Sequence, residues 1–186
     1  LFNPGGGFIV RPLAIKKKTL IKLNNNLLLV YTGLKRTAHN IASTYVDKLE
    51  KTKRSHILQI ANFVKESEKA LKEDNINNFG RLLHESWLVK KSLSPSISNS
   101  YINDIYNTAI KKGALGGKLL GAGGGGFMIF YVPQEKQQSV LDALIDLLLV
   151  PFAIEENGTE VLLKQDHTYS QTSKTIDKKF FKANLK

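Results

Sequence analysis

Apolar residues change their period several times along this chain, and each change marks an element. Leu27-Leu-Leu-Val-Tyr31 is a continuous apolar run, too short for a helix, and reads as a strand central in a sheet. Thr32-Gly33 ends it. Ala38, Ile41, Ala42, Tyr45 and Leu49 then recur at the three- and four-residue spacing of a helix. A second helix is predicted over residues 55–71, with Ile57, Ile60, Ala61, Val64 and Leu71 on one face. A third, capped by Asp74-Asn75, runs to about Leu93 with Phe79, Leu83, Trp87 and Leu93 inward. Ser94-Pro-Ser-Ile-Ser98 is a connector, and Ser98 is the expected N-cap of a helix carrying Ile102, Ile105, Tyr106, Ala109 and Ile110. Gly113 supplies its left-handed C-terminal cap.

Next comes the stretch Lys118-Leu-Leu-Gly-Ala-Gly-Gly-Gly-Gly-Phe-Met-Ile-Phe-Tyr-Val132, which reads as strand, glycine turn and strand. Pro133 opens a further helix with Val140, Leu141, Leu144, Leu147 and Leu148 inward. Residues 151–154 and 159–163 flank Asn157-Gly158, a hairpin signal. At the start, Phe8-Ile-Val10 predicts a short strand and residues 16–23 one or two helical turns. From Gln165 apolar residues thin out, which predicts a flexible tail over 165–186. The order of elements is that of an α+β fold, helices packed on an antiparallel sheet.

Five glycines among the six residues 121–126 carry a large entropic cost, so something must require them. Positive φ, close approach of another group, or N–H groups turned towards an anion would each do so. Gly121-Ala-Gly-Gly-Gly-Gly126 formally fits the dinucleotide pattern G-x-G-x-x-G, but a strand follows where that fold needs a helix. The protein-kinase loop lies between strands, yet no H-R-D or D-F-G is found downstream. Gly113-Ala-Leu-Gly-Gly-Lys118 is one residue short of a P-loop, with Leu119 in place of its Ser or Thr. A tight hairpin whose glycines serve packing alone stands beside the anion reading.

The chain has 186 residues and no cysteine, which removes disulfides and thiolate metal sites and is compatible with a cytoplasmic setting. No apolar run reaches the length of a membrane-spanning helix. A net charge of +11 suits nucleic acid or anionic small molecules. The basic residues are scattered, however, and no aromatic-basic pattern of an RNA-binding sheet is present, so neither nucleic acid nor a membrane is expected as a partner. Two local features are more informative. Lys35, Arg36 and His39 fall in the opening turn of the first long helix, where unpaired N–H groups and the helix dipole favour an anion. The alternative is that these cations point into solvent. Lys90 lies three residues after Trp87 on an apolar stripe, so it either snorkels to water or reaches a polar cleft at the end of the core.

Taken together these residues resemble the C-terminal half of the galactokinase, homoserine kinase, mevalonate kinase and phosphomevalonate kinase (GHMP) family. Lys118-Leu-Leu-Gly-Ala-Gly-Gly-Gly-Gly-Phe127 is similar to that family's third motif. Leu29-Val-Tyr-Thr-Gly33 with Arg36, Leu83-His-Glu-Ser-Trp87 with Lys90, and Gly113-Ala-Leu-Gly-Gly-Lys-Leu-Leu120 resemble the branch acting on D-glycero-D-manno-heptose 7-phosphate. The resemblance implies a ferredoxin-like C-terminal domain over residues 28–164, with residues 1–27 a remnant of the N-terminal domain and linker. It further implies phosphoryl transfer from ATP, with Mg²⁺, to the anomeric hydroxyl of a heptose 7-phosphate, giving the 1,7-bisphosphate used in polysaccharide biosynthesis. A kinase of this family acting on fucose, galactose or mevalonate, or a non-catalytic sugar-phosphate-binding module, is the competing reading. The resemblance places Thr32, Arg36 and Lys90 at the sugar-phosphate cleft, and Gly121, Ala122, Gly123, Gly124, Gly125 and Gly126 near the nucleotide in a supporting role.

The family's first motif is absent from the 186 residues, as is its second, the Pro-x-x-x-Gly-Leu-x-Ser-Ser loop that binds the ATP phosphates. The expectation is therefore a C-terminal portion that lacks catalytic residues and metal ligands of its own. It would be inactive alone, would depend on an N-terminal kinase half for ATP and Mg²⁺, and would self-associate through an exposed interface.

Overall fold

A four-stranded antiparallel sheet in the order β2-β3-β1-β4 organises the computed structural model, which describes residues 5–35, 41–46 and 52–154. In chain order the elements are α1 (Lys17–Asn25), β1 (Leu27–Tyr31), α2 (Arg54–Lys72), α3 (Ile76–Lys91), a 3₁₀ turn (Pro95–Ile97), α4 (Ser100–Lys111), β2 (Gly116–Leu119), β3 (Phe127–Tyr131), α5 (Gln134–Ala143) and β4 (Leu148–Leu149). β1 pairs with β3 from Leu27↔Tyr131 to Tyr31↔Phe127, and with β4 at Val30↔Leu149, so it is internal to the sheet as its apolar run predicts. Only Val30 of β1 is fully buried.

The main core joins β1, β2 and β3 to α3 and α4. Val30, Leu119, Met128 and Phe130 pack with Trp87, Ile97, Ile102, Ile105, Tyr106 and Ala109. A smaller cluster of Leu23, Leu71 and Tyr131 ties α1 and the α2–α3 turn to the far end of β3. Two glycines allow α3 to lie directly on the sheet. A Cβ at Gly116 would collide with the Gly80 carbonyl and come within 2.7 Å of the His84 nitrogen, and a Cβ at Gly80 would enter the Tyr131 ring.

Of the helices, α3 and α4 open on a capping asparagine. Asn75 Oδ1 accepts from the Asn78 N–H at 3.3 Å at the start of α3. At α4 the cap is Asn99, whose Oδ1 accepts from Ile102 N–H at 2.9 Å, and not Ser98 as expected. Ser98 instead donates to Asn103 Oδ1 at 3.0 Å, so the neighbouring amide occupies the cap position. Gly113 takes φ 116° after α4, the positive value its position demands.

Three further expectations change. α5 ends at Ala143, and Leu148 and Leu149 form β4. There the unpaired edge of β1 overrides the helical spacing, and Val150 N–H extends the pairing to Leu29 O at 2.8 Å. Residues 151–154 are not a strand; Ile154 N–H donates to Asn24 Oδ1 at 3.1 Å, back towards α1. Phe8 makes an isolated bridge instead of a strand. The Asn157-Gly158 hairpin, residues 159–163 and the tail 165–186 lie outside the described residues, as does most of the helix expected after Gly33.

Candidate functional site

The glycine loop is the meeting point of four segments. Leu120 N–H donates to Phe127 O at 2.8 Å, which closes the β2–β3 ladder and leaves residues 121–126 as the loop proper. Gly121, Gly123, Gly124 and Gly126 have φ of 69°, 125°, 76° and 98°, a run that L side chains rarely follow. Gly123 and Gly125 also meet neighbouring backbone. A Cβ at Gly123 would lie 2.8 Å from Ile97 Cα, and one at Gly125 would lie 2.7 Å from Leu34 O. The glycines are therefore needed for both positive φ and close approach.

Two loop amides face inward. Gly124 N–H donates to Ile97 O and Gly126 N–H to Leu34 O, each at 2.9 Å. These two cannot also serve an anion. The N–H groups of Gly121, Ala122, Gly123 and Gly125 have no acceptor among the described residues, so the cradle reading survives for them alone.

Thr32 continues the strand pairing beyond β1. Its N–H and its hydroxyl both donate to Gly126 O, at 2.9 and 2.8 Å, and Leu34 N–H donates to the same hydroxyl oxygen at 3.3 Å. The residue is 1% exposed. Its side chain thus supports the loop from beneath. Lys35 is exposed and shares with Tyr31, Leu34, Gly125, Gly126 and Phe127 a shallow depression of about 390 Å³. Arg36 and His39 lie outside the described residues.

Lys90, in the last turn of α3, reaches the polar rim instead of snorkelling to water. Its ammonium donates to Leu119 O at 3.1 Å and to Gly121 O at 2.6 Å. Burial, and then the charge of Lys118, hold its pKa down to about 8. Burial also lowers the pKa of Lys118 itself. Lys90 therefore stands at the loop with no carboxylate partner among the described residues, whereas Lys118 lines a pocket of about 450 Å³ between α2 and α3 with Phe63, Glu68, Leu71 and Ser86.

Behind the loop, His84 Nδ1 and the Tyr106 hydroxyl are 2.5 Å apart and their rings stack. Burial, followed by the charge of Glu85, raises the Tyr106 hydroxyl well above its ordinary value. Lys91 lies 5.8 Å above the Trp87 ring and 5.9 Å from that of Tyr106. The His-Glu-Ser-Trp segment thereby anchors α3 in the core. Sequence reasoning missed the carbonyls of Leu34 and Ile97, because backbone acceptors carry no side-chain signal. It also passed over Lys118, whose partial burial follows from the approach of α3 to β2.

Comparison with known proteins decides the family. Residues 67–148 match the model described as "GHMP kinases C terminal". Those residues belong to the GHMP kinase C-terminal family. The match takes in α3, α4, β2, the glycine loop, β3 and α5, and begins after α1 and β1. The GHMP domain here is similar to the D-glycero-alpha-D-manno-heptose 7-phosphate kinase of Campylobacter jejuni, 34% identical over 140 residues, 73% of this chain and 40% of the relative. It is also similar to the bifunctional fucokinase/GDP-fucose pyrophosphorylase of Arabidopsis thaliana, 28% identical over 71% of this chain and 13% of the relative. In fold it resembles the mevalonate kinase of L. major solved with R-mevalonate, with a TM-score of 0.59 at 18% identity over 64% of this chain and 37% of that one. The chain thus spans two-fifths or less of each of these relatives.

Proposed function

We propose that this chain supplies the C-terminal domain of an ATP-dependent sugar kinase that phosphorylates the anomeric hydroxyl of D-glycero-D-manno-heptose 7-phosphate. The observation that carries the substrate is the 34% identity over 140 residues to the Campylobacter jejuni heptose 7-phosphate kinase. The glycine loop, tied at its rear half to Leu34 and Ile97 and at its front half to the Lys90 ammonium, supports the same reading. Phosphoryl transfer depends on positioning and on stabilising the charge of the transferred group, and fixed donors and cations at a cleft supply both.

In this reading Gly121, Ala122, Gly123 and Gly125 present N–H groups towards the nucleotide side, and Arg36 with Lys35 receives the sugar phosphate. Thr32 acts through the loop it supports. Among the described residues no three His, Asp or Glu side chains converge on a metal position, and the residues at the loop are cations and backbone amides. Mg²⁺ does not fit here, and no step is assigned to it on this domain. We place ATP, its Mg²⁺ and the catalytic acid–base groups on a nucleotide-binding half bearing a Pro-x-x-x-Gly-Leu-x-Ser-Ser loop. The 186 residues alone are then inactive.

The test is reconstitution. The chain is mixed or co-expressed with a separately made nucleotide-binding half, and ADP release is followed with heptose 7-phosphate, unphosphorylated heptose, fucose and mevalonate. Turnover with heptose 7-phosphate that needs both halves supports the proposal. A preference for fucose would support the second reading, a fucokinase, which the Arabidopsis thaliana relative favours. ADP release by the chain alone would overturn the division of labour.

A further inference from the structure

The six loop residues are not held evenly. The rear half is fixed three times over: Gly124 N–H on Ile97 O, Gly126 N–H on Leu34 O, and Gly126 O under the two donors of Thr32. Gly123 and Gly125 are also hemmed in by Ile97 and Leu34, so the backbone there has no room to shift. The front half has none of this. A Cβ at Gly121 would meet nothing within 4 Å, Gly121 and Leu120 are exposed, and the Gly121 and Ala122 N–H groups have no acceptor among the described residues. Its described tie to the rest of the molecule is the Lys90 ammonium on Gly121 O at 2.6 Å, reinforced at Leu119 O at 3.1 Å on the last residue of β2.

We propose that Lys90 is a positioning residue that sets the front half of the glycine loop, its ammonium bridging the end of β2 and the first loop carbonyl. A lysine suits the task because one ammonium donates in three directions. Two of them are committed to carbonyls 119 and 121, and hydrogen bonds made by a charged donor are the stronger kind. Holding a cation there has a cost, visible in the lowered pKa caused by burial and by Lys118. The two carbonyl oxygens, which lack any other described donor capable of spanning them, offset it. Lys90 thereby aims the Gly121 and Ala122 N–H groups, and its action on any ligand passes through the loop. The inference rests on the loop being the nucleotide-facing element of the proposed kinase, but its test needs no nucleotide and no turnover.

The experiment is ¹⁵N relaxation and ¹H–¹⁵N chemical-shift mapping on the whole 186-residue chain, with amide hydrogen exchange as the check on the fold, comparing the wild type with Lys90→Met, Lys90→Arg and, as a neighbouring control, Lys91→Met. Loss of a charge-assisted pair of hydrogen bonds should lower the ¹⁵N order parameters of Gly121 and Ala122 from a rigid value of about 0.85 to below about 0.6 in Lys90→Met, with their shifts displaced. Exchange in α4 and β3 should stay as it was, showing that the fold is intact. Lys90→Arg, which keeps the donors, should return the loop towards wild-type order parameters and shifts, and Lys91→Met should leave it unchanged. If Lys90→Met leaves Gly121 and Ala122 unaltered, the proposal fails. It also fails if Lys91→Met loosens them equally, or if Lys90→Arg is no better than Lys90→Met. Should Lys90→Met fail to fold, Lys90→Gln, which shortens the side chain but stays polar, is read by the same criteria.

Discussion

At Gly121 and Gly123 the same residue type serves different physical ends. Both have positive φ, but only Gly123 is pressed against the Ile97 backbone. Gly121→Ala should therefore cost about 1–2 kcal/mol, the ordinary penalty of an L residue in the left-handed region. Gly123→Ala adds an overlap with backbone that cannot rotate away, and should cost about 3 kcal/mol or more. Urea unfolding midpoints of the two variants would check the order, and equal losses would show that crowding at Ile97 is unimportant. The glycine cluster was legible as a constraint from the sequence alone, whereas its division into strained, crowded and free positions was not. That division depends on which neighbouring carbonyls arrive at the loop, and Leu34 and Ile97 come from segments far apart in the chain. Thr32 shows the same limit. Its place at the end of β1 is readable, yet whether its hydroxyl faces a ligand or a carbonyl is decided by the register of β1 on β3.

At the scale of elements, α1 is fastened to the α2–α3 turn by one carboxylate. Asp74, at φ 59°, accepts from Thr19 Oγ1 at 2.8 Å and from Lys22 Nζ at 2.9 Å, with Lys18 Nζ at 3.5 Å. The Lys22 hydrogen bond, then that of Thr19, holds its pKa down to about 2. A carboxylate depressed on folding stabilises the native state above its unfolded pKa of about 3.9, and that contribution disappears as pH falls through the folded value. Wild type should therefore lose stability relative to Asp74→Asn between about pH 4 and pH 2, read as converging melting temperatures. A constant gap across that window would refute the clamp. Residues 16–23 are readable as helical turns by their spacing, but nothing in the spacing pairs them with Asp74. The end of α5 illustrates the opposite failure. Leu147 and Leu148 continue a helical stripe in the sequence, and the open edge of β1 takes Leu148 into β4 instead.

For the molecule as a whole, several large apolar side chains remain in water. Phe8, Val10, Leu58 and Val64 are each at least 60% exposed. Association that strengthens with concentration is expected in sedimentation velocity, and a monomer at several hundred micromolar would argue against it. A second expectation at this scale concerns α3, which bears on β2 through Gly80 and Gly116. Gly116→Ala places a methyl group on the Gly80 carbonyl and should cost more than about 3 kcal/mol or prevent folding, as judged by circular dichroism. The contact has a mechanical meaning as well. It is a fulcrum, and α3 is the lever arm. Lys90 stands ten residues beyond Gly80, about 15 Å along the axis. A tilt of about 5° at the fulcrum would carry the lysine through roughly 1.3 Å, enough to break its grip on Gly121. A small change of volume deep in the sheet would thus be felt, amplified, at the loop.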